Sequence, residues 1–461
     1  MTTFHIVNFG CRATQADAAA IERQLIARGC ARADSPDAQF VVVNTCTVTA
    51  AADTQARQAI RQIHRDHPYA RIVVTGCYAQ RAPEELASLD GVAWVVGNSH
   101  RTQIPHLLEC GGSTPLSSGV AATAMQSIIP LASLLPEGFS LDRAPTKILT
   151  GNIFAESEVL VAPVEGHEAS RTRPILKIQD GCNNRCAYCV IPFVRGRSRS
   201  LPPARVVEEV RRLVDAGARE IVLSGINLGS YGRDLAPRVE LAGVVRRILD
   251  ETSLEQLRIS SVEPMDVTQD WIELVASTPR IAPHFHIPLQ SGSDRVLARM
   301  HRWYRTEHYA RRVEMIRELL PDAGIGADVI VGFPGETGAD HAATLELVRA
   351  LPFTYLHVFS FSARPGTSAA TLDGQVPPQV IRQRARELRA LATEKSAAFR
   401  AAHLGRTLRV LTLHTRDAQS TGAISGNYLK VRVAGAYPAN TWLNARVTST
   451  RGDSLLATLH R

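Results

Sequence analysis

Six of the eight cysteines in this 461-residue chain fall into two groups with the spacing and context to bind iron. Gly181-Cys182-Asn183-Asn184-Arg185-Cys186-Ala187-Tyr188-Cys189 places three thiols as C-x3-C-x2-C. Three thiolates on one tight loop can hold three irons of a cubane [4Fe-4S] cluster and leave the fourth iron open to substrate, whereas an electron carrier normally has four cysteines. The competing reading is structural zinc, but that wants four ligands, usually as two short pairs, and no fourth Cys or His lies nearby in sequence. The second group is dispersed: Phe9-Gly10-Cys11, Asn44-Thr45-Cys46 and Thr75-Gly76-Cys77. A free cysteine is most often a small buried hydrophobe, yet three at equivalent strand ends point to a second three-cysteine cluster. Cys30, after Gly29 at a helix end, and Cys110 read as ordinary small hydrophobes.

The elements that must position these thiols are α/β throughout. Apolar runs at residues 5–9, 40–43, 72–75 and 92–96 alternate with helical stretches such as 16–28 and 51–65, predicting a doubly wound parallel sheet over residues 1–110. Right-handed crossovers bring the residues just after such strands to one sheet edge, where Cys11, Cys46 and Cys77 belong. Residues 111–170 have weak periodicity and read as a linker or insertion. Beyond them, strand-like runs recur at 175–179, 221–224, 257–262, 284–289, 326–331 and 355–361, with helical patterns between. Six β/α units over residues 171–403 predict a partial (β/α)6 barrel, with its chemistry at the carboxyl ends of the strands. A helix over 378–403 leads into residues 404–461, where short strands between Gly-rich turns predict a small all-β barrel.

Charge narrows the partners. Lys+Arg 52 against Asp+Glu 44 gives a net +8. Residues 1–110 carry 10 basic and 10 acidic side chains and residues 111–170 carry 2 and 6, while residues 405–461 carry 8 basic against Asp417 and Asp453. A further run, Arg195, Arg197 and Arg199, follows the cysteine loop. Scattered positive charge is ordinarily a solvated surface, but concentration into two patches favours a polyanion. The longest apolar stretch, residues 128–136, is far shorter than the ~20 residues of a membrane crossing. Residues 1–10 lack a basic region followed by an apolar run, so the expected location is cytoplasmic, with no membrane partner.

At these residues the chain resembles the radical S-adenosylmethionine methylthiotransferases, over nearly its whole length apart from residues 111–173. The C-x3-C-x2-C loop is similar to the family's radical cluster site, and Cys11, Cys46 and Cys77 match its auxiliary cluster ligands. His286-Ile287-Pro288-Leu289-Gln290-Ser291-Gly292-Ser293-Asp294, Gly332-Phe333-Pro334-Gly335-Glu336-Thr337 and Arg364-Pro365-Gly366-Thr367 resemble further family motifs, and the basic tail resembles its RNA-binding TRAM barrel. Asn44-Thr45-Cys46-Thr47-Val48-Thr49, Thr75-Gly76-Cys77-Tyr78-Ala79-Gln80 and Lys177-Ile178-Gln179-Asp180-Gly181 look like the branch acting on N6-threonylcarbamoyladenosine in tRNA. The isopentenyladenosine branch usually has Ser where this chain has Thr47. Two features depart from the pattern: Thr14 stands where the family commonly has Asn, and the 111–173 segment is longer than expected.

The resemblance implies two [4Fe-4S] clusters and S-adenosylmethionine as both radical source and methyl donor, since replacing an unactivated adenine C–H by C–SCH3 is cofactor chemistry. The cluster at Cys182, Cys186 and Cys189 is the catalytic one; the cluster at Cys11, Cys46 and Cys77 would hold or supply sulfur. A low-potential electron donor and a sulfur donor are then required partners. Strand-end placement suggests Ser224, Gly225, Glu263 and Gln290 as contacts for S-adenosylmethionine, with Tyr188 at its adenine. The plainer alternatives are a helix cap for Glu263 and a core ring for Tyr188. For the tRNA anticodon stem-loop, Arg195, Arg197 and Arg199 are expected near the radical cluster, and Tyr428, Lys430 and Arg432 on one strand of the tail. The alternatives are methylthio transfer to isopentenyladenosine or to a ribosomal protein, and a non-catalytic iron-sulfur RNA-binding protein.

Overall fold

A computed structural model describes residues 1–109, 146–160, 172–414 and 419–460. They form two compact units, the first of Met1–Phe9, Ile21–Cys46 and Ala51–Asn152, the second of Gly10–Ala20, Thr47–Ala50 and Ile153–Arg461.

The first unit is built on six strands, β1 (Thr3–Asn8), β2 (Ala31–Arg32), β3 (Phe40–Thr45), β4 (Arg71–Gly76), β5 (Val92–Gly97) and β6 (Lys147–Leu149). All pair in parallel in the order β2-β1-β3-β4-β5-β6, a doubly wound order whose direction reverses between β1 and β3. Continuous β-branched runs such as Val41-Val42-Val43 suit these strands because both faces are buried. Val41, Val43, Ile72, Val74 and Val95 pack with Ala56 and Ile60 of the helix Ala50–Asp66; each large aliphatic buried in this way contributes about 1.5–3 kcal/mol. Part of the stretch expected as linker, Lys147–Leu149, is thus the sixth strand; three residues are too few to show an alternation. Of the remainder of that stretch, residues 111–145 and 161–170 lie outside the described residues, as does Cys110. Cys30 is buried, as a small hydrophobe would be.

The second unit contains β7 (Ile175–Asp180), β8 (Arg199–Ser200), β9 (Glu220–Gly225), β10 (Gln256–Ile259), β11 (His284–His286), β12 (Gly324–Val331) and β13 (Tyr355–Ser360). The sheets β10-β9-β7-β8 and β11-β12-β13 are joined by a parallel bridge between Ser261 and His286. Six parallel strands therefore form the partial barrel, with β8 an antiparallel addition on the edge of β7. Its helices are strongly one-sided: Pro203–Asp215 buries Val206, Val207, Val210 and Leu213, the 3.6-residue repeat of an amphipathic helix. The Gly332–Thr337 motif is a turn and cap, where the Thr337 hydroxyl accepts from the Asp340 amide at 3.3 Å and the Asp340 carboxylate accepts from the Thr337 amide at 2.8 Å, closing the start of the helix Gly338–Ala350.

Five further strands, β14 (Thr407–Thr412), β15 (Ser420–Ser425), β16 (Lys430–Ala434), β17 (Trp442–Arg451) and β18 (Ser454–Leu459), close a barrel in the order β14-β15-β16-β18-β17. Val410, Val431, Val433, Val447 and Leu455 fill it. No helix among the described residues is long and apolar enough to cross a membrane.

Candidate active site

The C-x3-C-x2-C loop starts where β7 ends. Gly181 has φ 71°, and a Cβ there would stand 1.9 Å from the Arg197 carbonyl oxygen, so only glycine lets the loop turn back on the following segment. The loop is braced from both sides. Cys182 donates its amide to the Gly196 carbonyl at 3.1 Å and Ala187 donates to the Met300 carbonyl at 3.0 Å. The Gln179 side chain donates to the Gly181 carbonyl at 2.8 Å and accepts from the Asn227 amide at 2.8 Å.

Donors also approach the sulfurs. The Asn184 amide lies 3.4 Å and the Asn227 side-chain nitrogen 3.8 Å from Cys182 Sγ, and Arg302 Nη1 is 3.3 Å from Cys186 Sγ. N–H groups aimed at cysteine sulfur stabilise thiolate and tune a cluster bound there. Burial pushes the Cys182 thiol up, and that of Cys189 up to about 12; both would keep their protons at neutral pH unless iron replaced them. Among the described residues, the group of three metal-type donors whose ligand atoms all lie within 4.8 Å of one another is His286, Asp328 and His357. The three thiols are not in that group, and a cubane, which binds its ligands at separate corners, suits three thiols on one loop.

The loop opens onto a cavity of about 200 Å³ lined by Tyr188, Cys189, Gln290 and Asp328, with Thr49 and Phe359 among its other walls. Tyr188 packs edge-on against Phe333 at 6.5 Å between centroids. Gln290 takes φ 64°, a left-handed conformation that turns the chain after β11 while its carbonyl accepts from the Ile330 amide at 2.9 Å.

The pattern of the Radical SAM superfamily matches residues 176–348, and that of the family described as "Uncharacterized protein family UPF0004" matches residues 3–97. The threonylcarbamoyladenosine tRNA methylthiotransferase MtaB of Aquifex aeolicus is 35% identical over 431 residues, 92% of this chain and 95% of that protein. The protein of the same name from Bacillus subtilis is 34% identical over 94% of this chain and 90% of its own length. The tRNA-2-methylthio-N(6)-dimethylallyladenosine synthase of Sphingopyxis alaskensis is 33% identical over 95% and 96%. The chain belongs to the radical S-adenosylmethionine tRNA methylthiotransferases. In fold it is also similar to the radical S-adenosylmethionine methyltransferase TsrM from Kitasatospora setae, with TM-score 0.55, 16% identity and coverage of 84% of this chain and 82% of that one. Membership brings a [4Fe-4S] cluster and S-adenosylmethionine, the chemistry the loop accommodates.

In this methylthiotransferase the residues expected to contact S-adenosylmethionine do not all gather. Tyr188 and Gln290 line the cavity with Cys189. Ser224 and Gly225 end β9, where a Cβ on Gly225 would meet the Gln179 side chain at 2.9 Å. Glu263 pairs with Arg302, at 3.3 Å to Nη1 and closer still to Nη2; its carboxylate is engaged by a guanidinium and does not cap a helix through its side chain. Arg302, Asn184 and Asn227 were not singled out from sequence. The cysteines that Arg302 and Asn227 approach lie 116 and 45 residues away in sequence, and only the tightness of the motif around Asn184 hinted at its amide.

Two of the three arginines after the loop are structural. Arg195 is 1% exposed and donates to Asp180 at 3.0 Å and to Asp17 at 2.8 Å. Arg199 is buried and donates to the Arg195 and Arg197 carbonyls at 3.0 and 3.2 Å and to Glu158 O at 3.2 Å. Burial, with carboxylates pairing Arg195 and carbonyls holding Arg199, removes both from RNA reach, and Arg197 alone of the three is exposed. Tyr428 does not lie on the strand that carries Lys430 and Arg432. It sits in the turn before β16 with φ 71°, stacks on His284 at 4.4 Å, lies under Arg258 at 5.3 Å and accepts from Arg12 at 3.0 Å, so its ring is already engaged. Lys430 and Arg432 face outward from β16 while Val431 and Val433 fill the barrel; the Lys430–Asp453 pair at 2.6 Å is solvent-exposed and weak.

Within the first unit, Cys46 and Cys77 are buried and follow β3 and β4, paired at Thr45 and Gly76. The Asn98 side chain lies 3.7 Å from Cys77 Sγ. Cys11, exposed, follows β1 by three residues. In the second unit the hydroxyl of buried Thr14 donates to the Cys11 carbonyl at 2.7 Å.

Proposed function

We propose that this methylthiotransferase inserts a methylthio group at C2 of N6-threonylcarbamoyladenosine beside the anticodon of tRNA. The observation that carries the reading is the braced Cys182-Cys186-Cys189 loop opening on a cavity that Cys189 itself lines, in a chain 35% identical over 92% of its length to a methylthiotransferase of that name. When bound, the cluster and S-adenosylmethionine supply the radical that removes the adenine hydrogen. The chain's own residues hold the cluster through three thiols, orient them through Asn184, Asn227 and Arg302, and shape the cavity with Tyr188 and Gln290. Ser224, Gly225 and Glu263 at neighbouring strand ends complete the proposed S-adenosylmethionine contacts, Glu263 through its pair with Arg302.

The same reading gives Cys11, Cys46 and Cys77 a second [4Fe-4S] cluster that holds or receives the sulfur, supported by their positions after the adjacent strands β1, β3 and β4. Residues 1–110 then form the auxiliary-cluster domain, 111–170 a connection that also contributes β6, 171–403 the radical domain and 404–461 the TRAM-like barrel. Arg197, Lys430 and Arg432 are the proposed RNA contacts. A low-potential electron donor and a sulfur donor act with the enzyme in the cytoplasm. Cys46→Ala and Cys186→Ala should each remove about four of about eight irons per chain; an unchanged iron content in Cys46→Ala would contradict the second cluster.

The dimethylallyladenosine synthase of Sphingopyxis alaskensis, at 33% identity, favours a second reading in which the prenylated adenosine is the substrate. Nucleoside mass spectrometry of tRNA from a deletion strain separates the two. Loss of 2-methylthio-threonylcarbamoyladenosine with retention of its prenylated counterpart supports the first, and the converse supports the second.

A further inference from the structure

One face of the β11-β12-β13 sheet carries a polar cluster that the cysteine chemistry does not use. The register pairs His286 with Gly326, Gly326 with Tyr355 and Asp328 with His357. Alternation along the strands therefore puts His284, His286, Asp328, Tyr355 and His357 on the same side. A Cβ on Gly326 would stand 2.0 Å from the Tyr355 ring, so glycine at that position allows the ring to lie across β12 beside the histidines. His286 Nε2 is 3.1 Å from Asp328 Oδ1, and the rings of His286 and His357 are 5.4 Å apart. One ligand atom from each of His286, Asp328 and His357 lies within 4.8 Å of the other two.

We propose that His286, Asp328 and His357 form a binding site for a divalent first-row transition ion, with Zn²⁺ as its simplest occupant. Two imidazole nitrogens and one carboxylate oxygen are the donor set of borderline ions such as zinc or iron(II), not of magnesium or calcium, which take oxygen alone. The set leaves coordination positions open. An outer shell is also present: His286 Nδ1 is 2.9 Å from the Tyr355 hydroxyl, which is 2.8 Å from His284 Nε2. With Nε2 of His286 on the ion, its Nδ1–H donates to Tyr355 and the Tyr355 hydroxyl donates onward to His284, fixing the tautomer. The nearby cations are engaged elsewhere, Arg12 by the Tyr428 hydroxyl and Arg258 by Glu220. Asp328 also lines the cavity next to Cys189, so the ion would stand at its wall, able to accept an oxygen donor from a molecule bound there.

The inference does not rest on which adenosine is the substrate, because its readout is metal content. The anaerobically assembled iron-sulfur holoprotein is incubated with zinc sulfate, desalted, and analysed for zinc and iron by plasma mass spectrometry and for zinc ligation by X-ray absorption. The expected result is about one zinc per chain with a nitrogen/oxygen shell at about 2.0–2.1 Å and no sulfur at about 2.3 Å. In His357→Gln and Asp328→Asn, zinc occupancy falls at least about tenfold while iron content stays constant. His357 is exposed, so its variant tests the site without disturbing the core. Absence of zinc from the wild type, retention of it in both variants, or a sulfur shell would overturn the assignment.

Discussion

Arg302 donates from Nη1 to the Cys186 sulfur at 3.3 Å while the same guanidinium pairs with Glu263. Burial opposes the charge of Arg302, but Tyr304, Tyr188, Glu263 and Cys186 around it hold its pKa above the ordinary range, and it remains a cation. A cation and an N–H donor at a cluster sulfur favour the reduced, more negative state of a cluster held there.

Replacing Arg302 by Gln should therefore move the midpoint potential of the radical cluster to more negative values, by tens of millivolts, and lower the rate at which S-adenosylmethionine is cleaved at a fixed donor potential. A redox titration followed by electron paramagnetic resonance checks this. An unchanged midpoint in Arg302→Gln would show that the contact does not reach the cluster's electronics.

Asp17 and Asp180 together hold Lys177 and Arg195, and all four side chains are buried. A balanced buried network adds little net stability, but removing one charge leaves its partners uncompensated. Asp17→Asn should destabilise the second unit by about 3–5 kcal/mol, read as a lower urea midpoint. The Asp17→Asn, Lys177→Met double variant, which rebalances the charge, should lose less than Asp17→Asn alone; a larger loss in the double would contradict the network.

Much of the fold was legible because each barrel strand is a β-branched or apolar run bounded by turn residues. The six runs from residue 175 to residue 361 recur in the structure as β7 and β9 to β13. What the pattern missed is short: β2, β6 and β8 have two or three residues each, below the length at which alternation can be seen. The cysteine loop after β7 was legible through its C-x3-C-x2-C spacing, and Cys46 and Cys77 through their places after strands. Arg195 and Arg199 were misread because a run of arginines looks the same whether solvated or buried, and the decisive partner Asp17 is 178 residues from Arg195. Arg302 was missed for the same reason, and Tyr428 because a tyrosine before a strand gives no sign that His284 and Arg258 will cover its ring.

His284 supplies a pH dependence. Burial first, then Arg258, His286, Arg12 and Arg173, hold its imidazole well below the usual range. The unfolded chain takes up a proton near pH 6.5 while the folded chain does not. The stability due to neutral His284 is therefore fully present above about pH 6.5 and lost as pH falls below it. His284→Gln should flatten the fall in thermal midpoint between about pH 6.5 and pH 5; an equally steep fall in the variant would rule this group out.

Lys430 and Arg432 are the outward cations of β16. Lys430→Glu with Arg432→Glu should weaken tRNA binding and make the log–log salt dependence shallower by about 0.7–0.9 per lost phosphate contact, with iron content unaffected. Fluorescence anisotropy with labelled tRNA at several salt concentrations checks this, and an unchanged slope would take β16 out of the interface.

The substrate is tested most directly with the anaerobically reconstituted enzyme, S-adenosylmethionine, a chemical reductant and sulfide, given two tRNAs together, one bearing N6-threonylcarbamoyladenosine and one bearing isopentenyladenosine. After digestion, mass spectrometry should find the methylthio group on C2 of the threonylcarbamoylated nucleoside alone, with none formed by Cys186→Ala. Methylthiolation of the isopentenylated nucleoside instead, or of neither while S-adenosylmethionine is cleaved, would contradict the account.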